Sequence, residues 1–195
     1  SVLEVLRQPM EDGVVHIARV SASFSYPANF MLIAAMNPCP CGYLGDPDHP
    51  CCCTDGEIRR YSRKISGPLL DRIDLHVSVS RPNYQELSNT VKGESSNTIA
   101  ERVTVARTIQ RERLANWSMQ NNAQMGHRQI KETCQLTRES QNILREVFEK
   151  LHLSARSYDR IIKVSRTIAD LAGVSTIESE HVVEAISYRN RIPRR

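Results

Sequence analysis

The sequence predicts a mixed architecture, in which part of an α/β domain with a parallel sheet is followed by an all-α domain. The run Phe30–Met36 is continuously apolar and stops at Asn37-Pro38, as in a strand buried on both faces. Apolar and polar residues alternate over 73–79, which is typical of a strand with one buried face. After a polar segment at 88–97, apolar residues recur at helical spacing.

These patterns divide the chain into a first domain at 1–87, a linker at 88–97 and a helical domain at 98–195. Within the first domain, residues 2–8 suit the end of a helix that Pro9 and Gly13 stop. Two short strands should follow as a hairpin, over Val14–Ala18 and Ser21–Tyr26.

Further helices are predicted from caps and apolar stripes. Thr54 with Glu57 three residues later has the form of a capping box, so a helix should run from there to about Lys64. In the second domain a polar loop is expected at Trp117–Arg128, and Gly173 should end a long helix. The apolar stripes there include Ile99, Val103, Ala106 and Ile109; Ile143, Leu144, Val147, Phe148 and Leu151; Tyr158 to Ala172; and Val182, Val183 and Ile186.

Composition restricts the function only broadly. Apolar residues make up 40% and charged residues 25%, as in ordinary globular proteins, and no apolar run approaches the roughly 20 residues of a membrane helix. The net charge of +4 is compatible with nucleic acid but does not demand it. Five of the six cysteines cluster between Cys39 and Cys53 and there is no export signal, which favours a reducing cytoplasm.

A phosphate-binding loop is missing from the sequence. None of the eight glycines precedes a lysine, and no apolar strand ends in Asp-Glu to hold magnesium. We therefore expect the isolated chain to bind nucleotide weakly or not at all and to be inactive. Because it begins at Ser1 in what reads as a helix, we interpret it as a piece of a longer protein.

Four stretches, in this order, resemble the magnesium-chelatase-like AAA+ ATPase family. The resemblance implies a partial AAA+ P-loop-type domain followed by a helical lid, in a protein that binds ATP and Mg²⁺ and assembles as a ring, typically a hexamer. It implies coupling of ATP hydrolysis to DNA remodelling of the helicase or branch-migration type, with no membrane partner. The stretches are Val5–Gly13, Ala35–Gly42, Ser66–Val77 and Arg166–Gly173.

The resemblance assigns two catalytic residues. It implies that Asn37 is the sensor 1 residue, which orients the attacking water near the γ-phosphate, whereas the local sequence taken alone favours an Asn-Pro turn. It implies that Arg72 is the arginine finger, whose planar and permanently charged fork matches phosphoryl oxygens in a neighbouring subunit. The alternative for Arg72 is an ion pair with Asp71 or Asp74.

The resemblance also assigns a lid residue and a DNA contact. Arg156 would be sensor 2, following a predicted N-cap at Ser154, and Arg160 one turn later is its rival for nucleotide binding. The hairpin occupies the position of the helix-2 insertion of related hexameric helicases, so Arg19 would contact DNA phosphate. The alternative is a hairpin that covers the core.

The cysteine cluster is a candidate zinc site. Four thiolates would close a tetrahedral site, and the natural choice is Cys39, Cys41, Cys51 and Cys53. Cys52 and His49 are alternative ligands, and five free thiols in a loop are the alternative without metal. Zinc knuckles usually have two residues between paired cysteines, and here there is one. The lone Cys134 is expected in the core.

Two other classes of function remain open at this point. One is a chelatase-type motor subunit that remodels a protein partner for metal insertion. The other is a non-enzymatic, zinc-stabilised binding module. A DNA motor differs from both in that DNA should stimulate its ATP turnover and salt should weaken that effect.

Overall fold

The computed structural model describes residues 2–79, 81, 82, 84, 88 and 93–189. These residues form two compact units, one built mainly from residues 2–73 and the other mainly from residues 93–189. Residues 74–77 belong to the second unit by their contacts. The predicted boundary after residue 87 lies outside the described residues, so the division at 87 stays a prediction. Of the predicted linker at 88–97, residues 88 and 93–97 are described, and the first helix of the second unit already begins at Ser96.

The first unit combines short helices with one β-hairpin. A 3₁₀ helix at Val2–Leu6 leads directly into the first α-helix. In chain order the elements are α1 (Arg7–Asp12), β1 (Val14–Arg19), β2 (Ala22–Pro27), α2 (Asp55–Ser62) and α3 (Gly67–Leu70).

Helix α1 ends at a glycine rather than at the proline. Gly13 has φ 65°, and its N–H donates to the Pro9 carbonyl at 3.0 Å, so a residue without Cβ suits this left-handed cap. Pro9 itself lies in the first turn of α1, where its missing N–H would have had no helical partner. The prediction that Gly13 stops the helix is confirmed, and the prediction that Pro9 stops it is wrong.

The hairpin and α2 agree closely with the sequence patterns. Strands β1 and β2 pair antiparallel with Val14 opposite Pro27 and Arg19 opposite Ala22, within a residue or two of the predicted bounds. Helix α2 begins at a complete capping box, in which the Thr54 N–H donates to the Glu57 carboxylate at 2.8 Å. It ends at Ser62, two residues earlier than predicted.

Two further predicted strands, at Phe30–Met36 and at 73–79, are not formed in the described part of the chain. Phe30–Met36 has no regular secondary structure, and Met31 and Ile33 are 83% and 81% exposed. Residues 73–79 likewise form no strand, and Leu75 is exposed. A strand needs neighbours for its backbone hydrogen bonds, and β1 and β2 pair only with each other in the described sheet. Both strand predictions are therefore wrong for this chain, whose described sheet has two antiparallel strands.

The second unit is helical. Three of its helices begin at Ser or Thr caps, Ser95, Thr137 and Ser154, each of which accepts the N–H three residues later. The helices are α4 (Ser96–Leu114), α5 (His127–Thr133), α6 (Arg138–Lys150), α7 (Ala155–Leu171) and α8 (Ser179–Ser187), with 3₁₀ turns at Ala115–Trp117 and Asn122–Gln124. The predicted polar loop thus contains two short turns and the start of α5.

The core of the helical unit lies between these helices. Helix α7 contributes the most, as its apolar stripe predicts, and Cys134 is buried as expected. On α4 the buried positions are Ala106, Gln110 and Leu114. Ile99 and Val103 of the predicted stripe, near the start of the helix, are 42% and 43% exposed. The core residues are Leu114, Met125, Ile130, Cys134, Leu144, Ile161, Ile162, Ala169, Ile177, Val182 and Ala185.

A buried ion network ties α4 to α7. Asp170 is 1% exposed, and its carboxylate accepts from Arg113 at 2.6 and 2.7 Å and from Arg166 Nε at 3.0 Å. Asn122 Nδ2 donates to the same carboxylate at 2.8 Å. The rest of the Arg166 guanidinium donates to the backbone carbonyls of Val174 and Ser175, beyond the end of α7.

This network leaves two cations around one carboxylate. Burial lowers the pKa of Arg166, and the Asp170 charge opposes that effect. Because buried charges are tolerated only when they are paired and hydrogen-bonded, Asp170 holds both guanidinium groups in place. Within the described ranges, none of the helices has the length and apolar character needed to cross a membrane.

Candidate metal centre and candidate nucleotide-site residues

The cysteine loop begins at a tight turn directly after Asn37. Gly42 has φ 87°, and its N–H donates to the Cys39 carbonyl at 3.1 Å, which folds the chain back after Cys41. Cys39 is completely buried, and Leu69 is the other buried apolar residue among the described residues of the first unit. The cysteine cluster is therefore a large part of the small core of this unit.

Four thiols converge in this loop. The Sγ atoms of Cys39 and Cys41 lie 3.3 Å apart, and Cys51 Sγ lies 3.6 and 3.5 Å from them. Cys53 Sγ completes a group in which all four sulfurs lie within 4.8 Å of one another. A tetrahedral zinc ion with Zn–S bonds of about 2.3 Å places its sulfurs roughly 3.8 Å apart. The spacing fits a four-thiolate metal site, so this cluster could hold a metal ion.

The two alternative ligands have other surroundings. Cys52 is exposed, and it lies outside the group of converging sulfurs. The His49 ring stacks on Tyr43 with 5.2 Å between ring centres, and its Nδ1 lies 3.7 Å from the Asp46 carboxylate. The geometry therefore favours Cys39, Cys41, Cys51 and Cys53 over sets that include Cys52 or His49.

The protonation of the thiols differs across the cluster. A backbone hydrogen bond from Tyr43 lowers the pKa of Cys41 to about 5, which favours the thiolate form of this group near neutral pH. A backbone hydrogen bond from Cys41 lowers the pKa of Cys53, but burial and the neighbouring thiols outweigh it and raise that pKa to about 12. A metal ion would have to displace the Cys53 proton, so its affinity should rise with pH.

Asn37 and Arg72, the two predicted catalytic residues, both lie in the first unit. Asn37 is exposed and directly precedes the cysteine loop. The Arg72 side chain is only 9% exposed, pairs with Glu11 of α1, and donates from one guanidinium nitrogen to the Pro68 carbonyl at 2.8 Å. It lines an open surface cleft of about 490 Å³ together with Glu4, Val5, Arg7, Gln8, Glu11 and Asp12.

Arg156 and Arg160, the two rival lid arginines, differ in their environments. Arg156 is exposed at the start of α7, after the Ser154 cap, which the sequence correctly predicted. Arg160, one turn later, forms an ion pair with Asp74.

Arg19 lies at the end of β1, exposed beside the hairpin turn. Because cross-strand partners share a face, Ile17 with Phe24 and Arg19 with Ala22 lie on the same side of the hairpin. Ile17 and Phe24 are exposed, so the described residues do not use this face to cover a core. Arg19 is accessible to a ligand.

Sequence reasoning missed the partners of these arginines. Glu11 and Asp74 are distant in sequence from Arg72 and Arg160, and no local spacing connects them. The Arg166–Asp170 pair did have a signal, because opposite charges four residues apart on an apolar helix face predict a buried pair.

Comparison with known protein families gives two matches in order along the chain. Residues 1–87 match the model described as magnesium chelatase, subunit ChlI. Residues 93–189 match the model described as magnesium chelatase, subunit ChlI C-terminal. Together the two matches account for nearly all of the sequence.

Individual relatives agree with these matches. The chain is 42% identical over 190 residues to competence protein ComM of Haemophilus influenzae, covering 96% of this chain and 36% of that protein. It is 41% identical over 191 residues to YifB of Escherichia coli, with the same coverage. It is 36% identical over its whole length to Rv2897c of Mycobacterium tuberculosis, of which it covers 38%. The chain thus spans a little over a third of the length of these relatives.

Proposed function

Because the chain belongs to the magnesium chelatase ChlI family, we propose that it forms part of a ring-forming AAA+ ATPase that couples ATP hydrolysis to DNA remodelling. The observation that carries this proposal is the ordered match of both family models to nearly the whole chain. The remaining parts, a phosphate loop and the Mg²⁺-binding acids, belong to sequence outside this chain.

In this proposal Asn37 and Arg72 act on the γ-phosphate. Asn37 orients the attacking water as sensor 1, and its exposure directly before the cysteine loop supports that role. Arg72 is the finger that stabilises charge developing in a neighbouring subunit's site, for which a fixed planar guanidinium is suited. Its engagement with Glu11 means that it must exchange this partner for phosphate oxygens during turnover.

The helical unit acts as the lid. Arg156 is the sensor 2 residue, because it is exposed at the start of α7 and a guanidinium there can reach a nucleotide phosphate. The buried ion pairs of Asp170 with Arg113 and Arg166 join α4 to α7, so they would help to keep α7, and with it Arg156, in a fixed position within the lid.

The apolar residues exposed at Phe30–Met36 also fit this proposal. A run of this composition is costly to leave in water, and adding neighbouring strands would bury it. We therefore expect the exposed run Phe30–Met36 to be covered in the complete protein.

DNA is the proposed substrate because the family resemblance implies DNA remodelling, and a relative that matches 96% of this chain is named a competence protein. The exposed Arg19 beside the hairpin turn supplies a phosphate contact. The proposal is tested by ATP turnover of the complete protein with and without DNA. Stimulation that falls with added salt supports it, because phosphate contacts release counterions.

A chelatase-type motor that acts on a protein partner is the second candidate. The description of both matching models as magnesium chelatase favours it. Basal ATP turnover that DNA does not change would support this candidate. Bound metal without any response to nucleotide would instead support a non-enzymatic binding module.

We also propose that the cysteine cluster holds a structural zinc ion, which stiffens the loop that follows Asn37. Four cysteine ligands leave no open coordination position, so the ion would stabilise the loop rather than catalyse a reaction. Cys39, Cys41, Cys51 and Cys53 would hold it.

The zinc proposal predicts about one zinc ion per chain by elemental analysis of protein purified without chelator. Cys39→Ser should lose the metal and lower the melting temperature, because Cys39 is buried within the cluster. Cys52→Ser is the matched control and should retain the metal, because Cys52 is exposed outside it. Metal-free wild-type protein, or equal loss in both variants, would contradict the site.

A further inference from the structure

We infer that Arg160 is a positioning residue, which acts through Asp74 on the segment that follows Arg72, rather than a ligand of the nucleotide. This inference rests on the proposed ATPase function. Its basis is a contact between two charged residues far apart in sequence. Arg160 lies on the second turn of α7, and its guanidinium forms an ion pair with the Asp74 carboxylate.

The exposure of the two partners limits what the contact can do. The Arg160 side chain is 21% exposed and that of Asp74 is 53% exposed. An ion pair with a half-exposed partner adds little to the free energy of unfolding, because water screens the attraction and both side chains lose conformational freedom. The pair is therefore better suited to fixing the position of a backbone segment than to holding the fold together.

A second contact fastens the same segment. The His76 N–H donates to the Tyr188 carbonyl at 2.8 Å, at the end of α8. Residues 74–77 are thus attached to the helical unit at two points, to α7 by a side chain and to α8 by the backbone. This explains why they belong to that unit by their contacts, although residues 2–73 form the other.

Chain connectivity transmits this attachment to Arg72. Only Ile73 separates Arg72 from Asp74, and two residues of extended chain span at most about 7 Å. A displacement of α7 that carries Asp74 with it must therefore move the backbone of Arg72 or be absorbed by the few φ and ψ torsions between the two residues. The position of the lid helix is in this way coupled to the position of the finger.

Two charge-neutralising variants and one charge swap test this role in the complete protein. Asp74→Asn and Arg160→Gln should each lower kcat for ATP about tenfold, because a small misplacement of a catalytic group is costly. KM and the dissociation constant for ATP should stay within about twofold, since neither residue touches nucleotide in this scheme. The swap Asp74→Arg with Arg160→Asp should restore most of the lost turnover.

The control is another exposed ion pair of the helical unit. Arg102→Gln removes the pair that Arg102 forms with Glu94 at 2.8 and 3.0 Å, and it should leave turnover unchanged. If Arg160→Gln weakens ATP binding and Asp74→Asn does not, Arg160 is a nucleotide ligand and the inference is overturned. Unchanged kcat in both single variants, or a swap as slow as either of them, would also overturn it.

Hydrogen exchange at the His76 amide separates failure of the inference from failure of the proposed function. Asp74→Asn and Arg160→Gln should both speed this exchange, and Arg102→Gln should not, because only the first two release the segment. An unchanged exchange rate at the His76 amide in both variants overturns the inference, regardless of the rate of ATP turnover. Absence of ATP turnover in the wild-type protein overturns the proposed function instead.

Discussion

Replacing Arg72 with alanine in the complete protein is expected to lower ATP turnover by about 10³-fold or more and to leave ATP binding nearly intact. The magnitude follows from the charge that an arginine finger stabilises in phosphoryl transfer, which is present only in the transition state. Arg72→Lys should remain slow, because an ammonium group keeps the charge but loses the planar fork. Steady-state kinetics together with a nucleotide-binding titration measure both quantities.

The buried position of Arg72 makes a stability control necessary. Its side chain pairs with Glu11 and donates to the Pro68 carbonyl, so the alanine variant loses contacts within the first unit. Thermal unfolding should show that the variant is still folded at the assay temperature. Arg59→Ala, which removes an exposed arginine from α2, should leave turnover unchanged. Unchanged turnover in Arg72→Ala, or loss of ATP binding in a folded variant, would contradict the finger assignment.

Replacing Asp170 with alanine is expected to destabilise the chain by about 3–5 kcal/mol, because it leaves two guanidinium groups buried or half-buried without their carboxylate. Arg166 is completely buried, and the Arg113 side chain is 18% exposed, so water cannot fully replace the lost partner. Asn122 also loses a hydrogen-bond acceptor. The free energy of unfolding, measured by denaturant titration, gives the magnitude directly.

An exposed ion pair provides the control for the Asp170 variant. Glu132 pairs with Arg128 at 2.8 Å on α5, where the two side chains are 44% and 79% exposed. Glu132→Ala should cost less than about 1 kcal/mol, because exposed pairs contribute little. If Asp170→Ala cost no more than Glu132→Ala, the network would not be the rigid centre of the helical unit.

The helices could be predicted from sequence because their signals are local. Thr54 and Glu57 form the predicted capping box, and Ser154 caps α7 as expected. The hairpin was predictable for the same reason, since both of its strands and the turn between them lie within fourteen consecutive residues. Elements that satisfy their own backbone hydrogen bonds can be derived from a short window of sequence.

The strands predicted at Phe30–Met36 and at 73–79 are not formed, because a strand depends on backbone partners that can be distant in sequence. The run Phe30–Met36 has the composition of a buried strand, but composition does not supply the neighbours to which it would hydrogen-bond. The ion pairs of Arg72 with Glu11 and of Arg160 with Asp74 escaped prediction for a similar reason. By contrast, four closely spaced cysteines in one loop were enough to indicate the sulfur cluster.

The measurement that tests the central claim most directly is ATP turnover by the complete protein with no DNA, single-stranded DNA and forked DNA, each at two salt concentrations. A DNA-remodelling ATPase predicts strong stimulation that weakens at the higher salt, and Arg19→Ala should reduce the stimulation while basal turnover persists. Basal turnover that neither DNA changes would contradict the DNA assignment and favour a motor that acts on a protein partner.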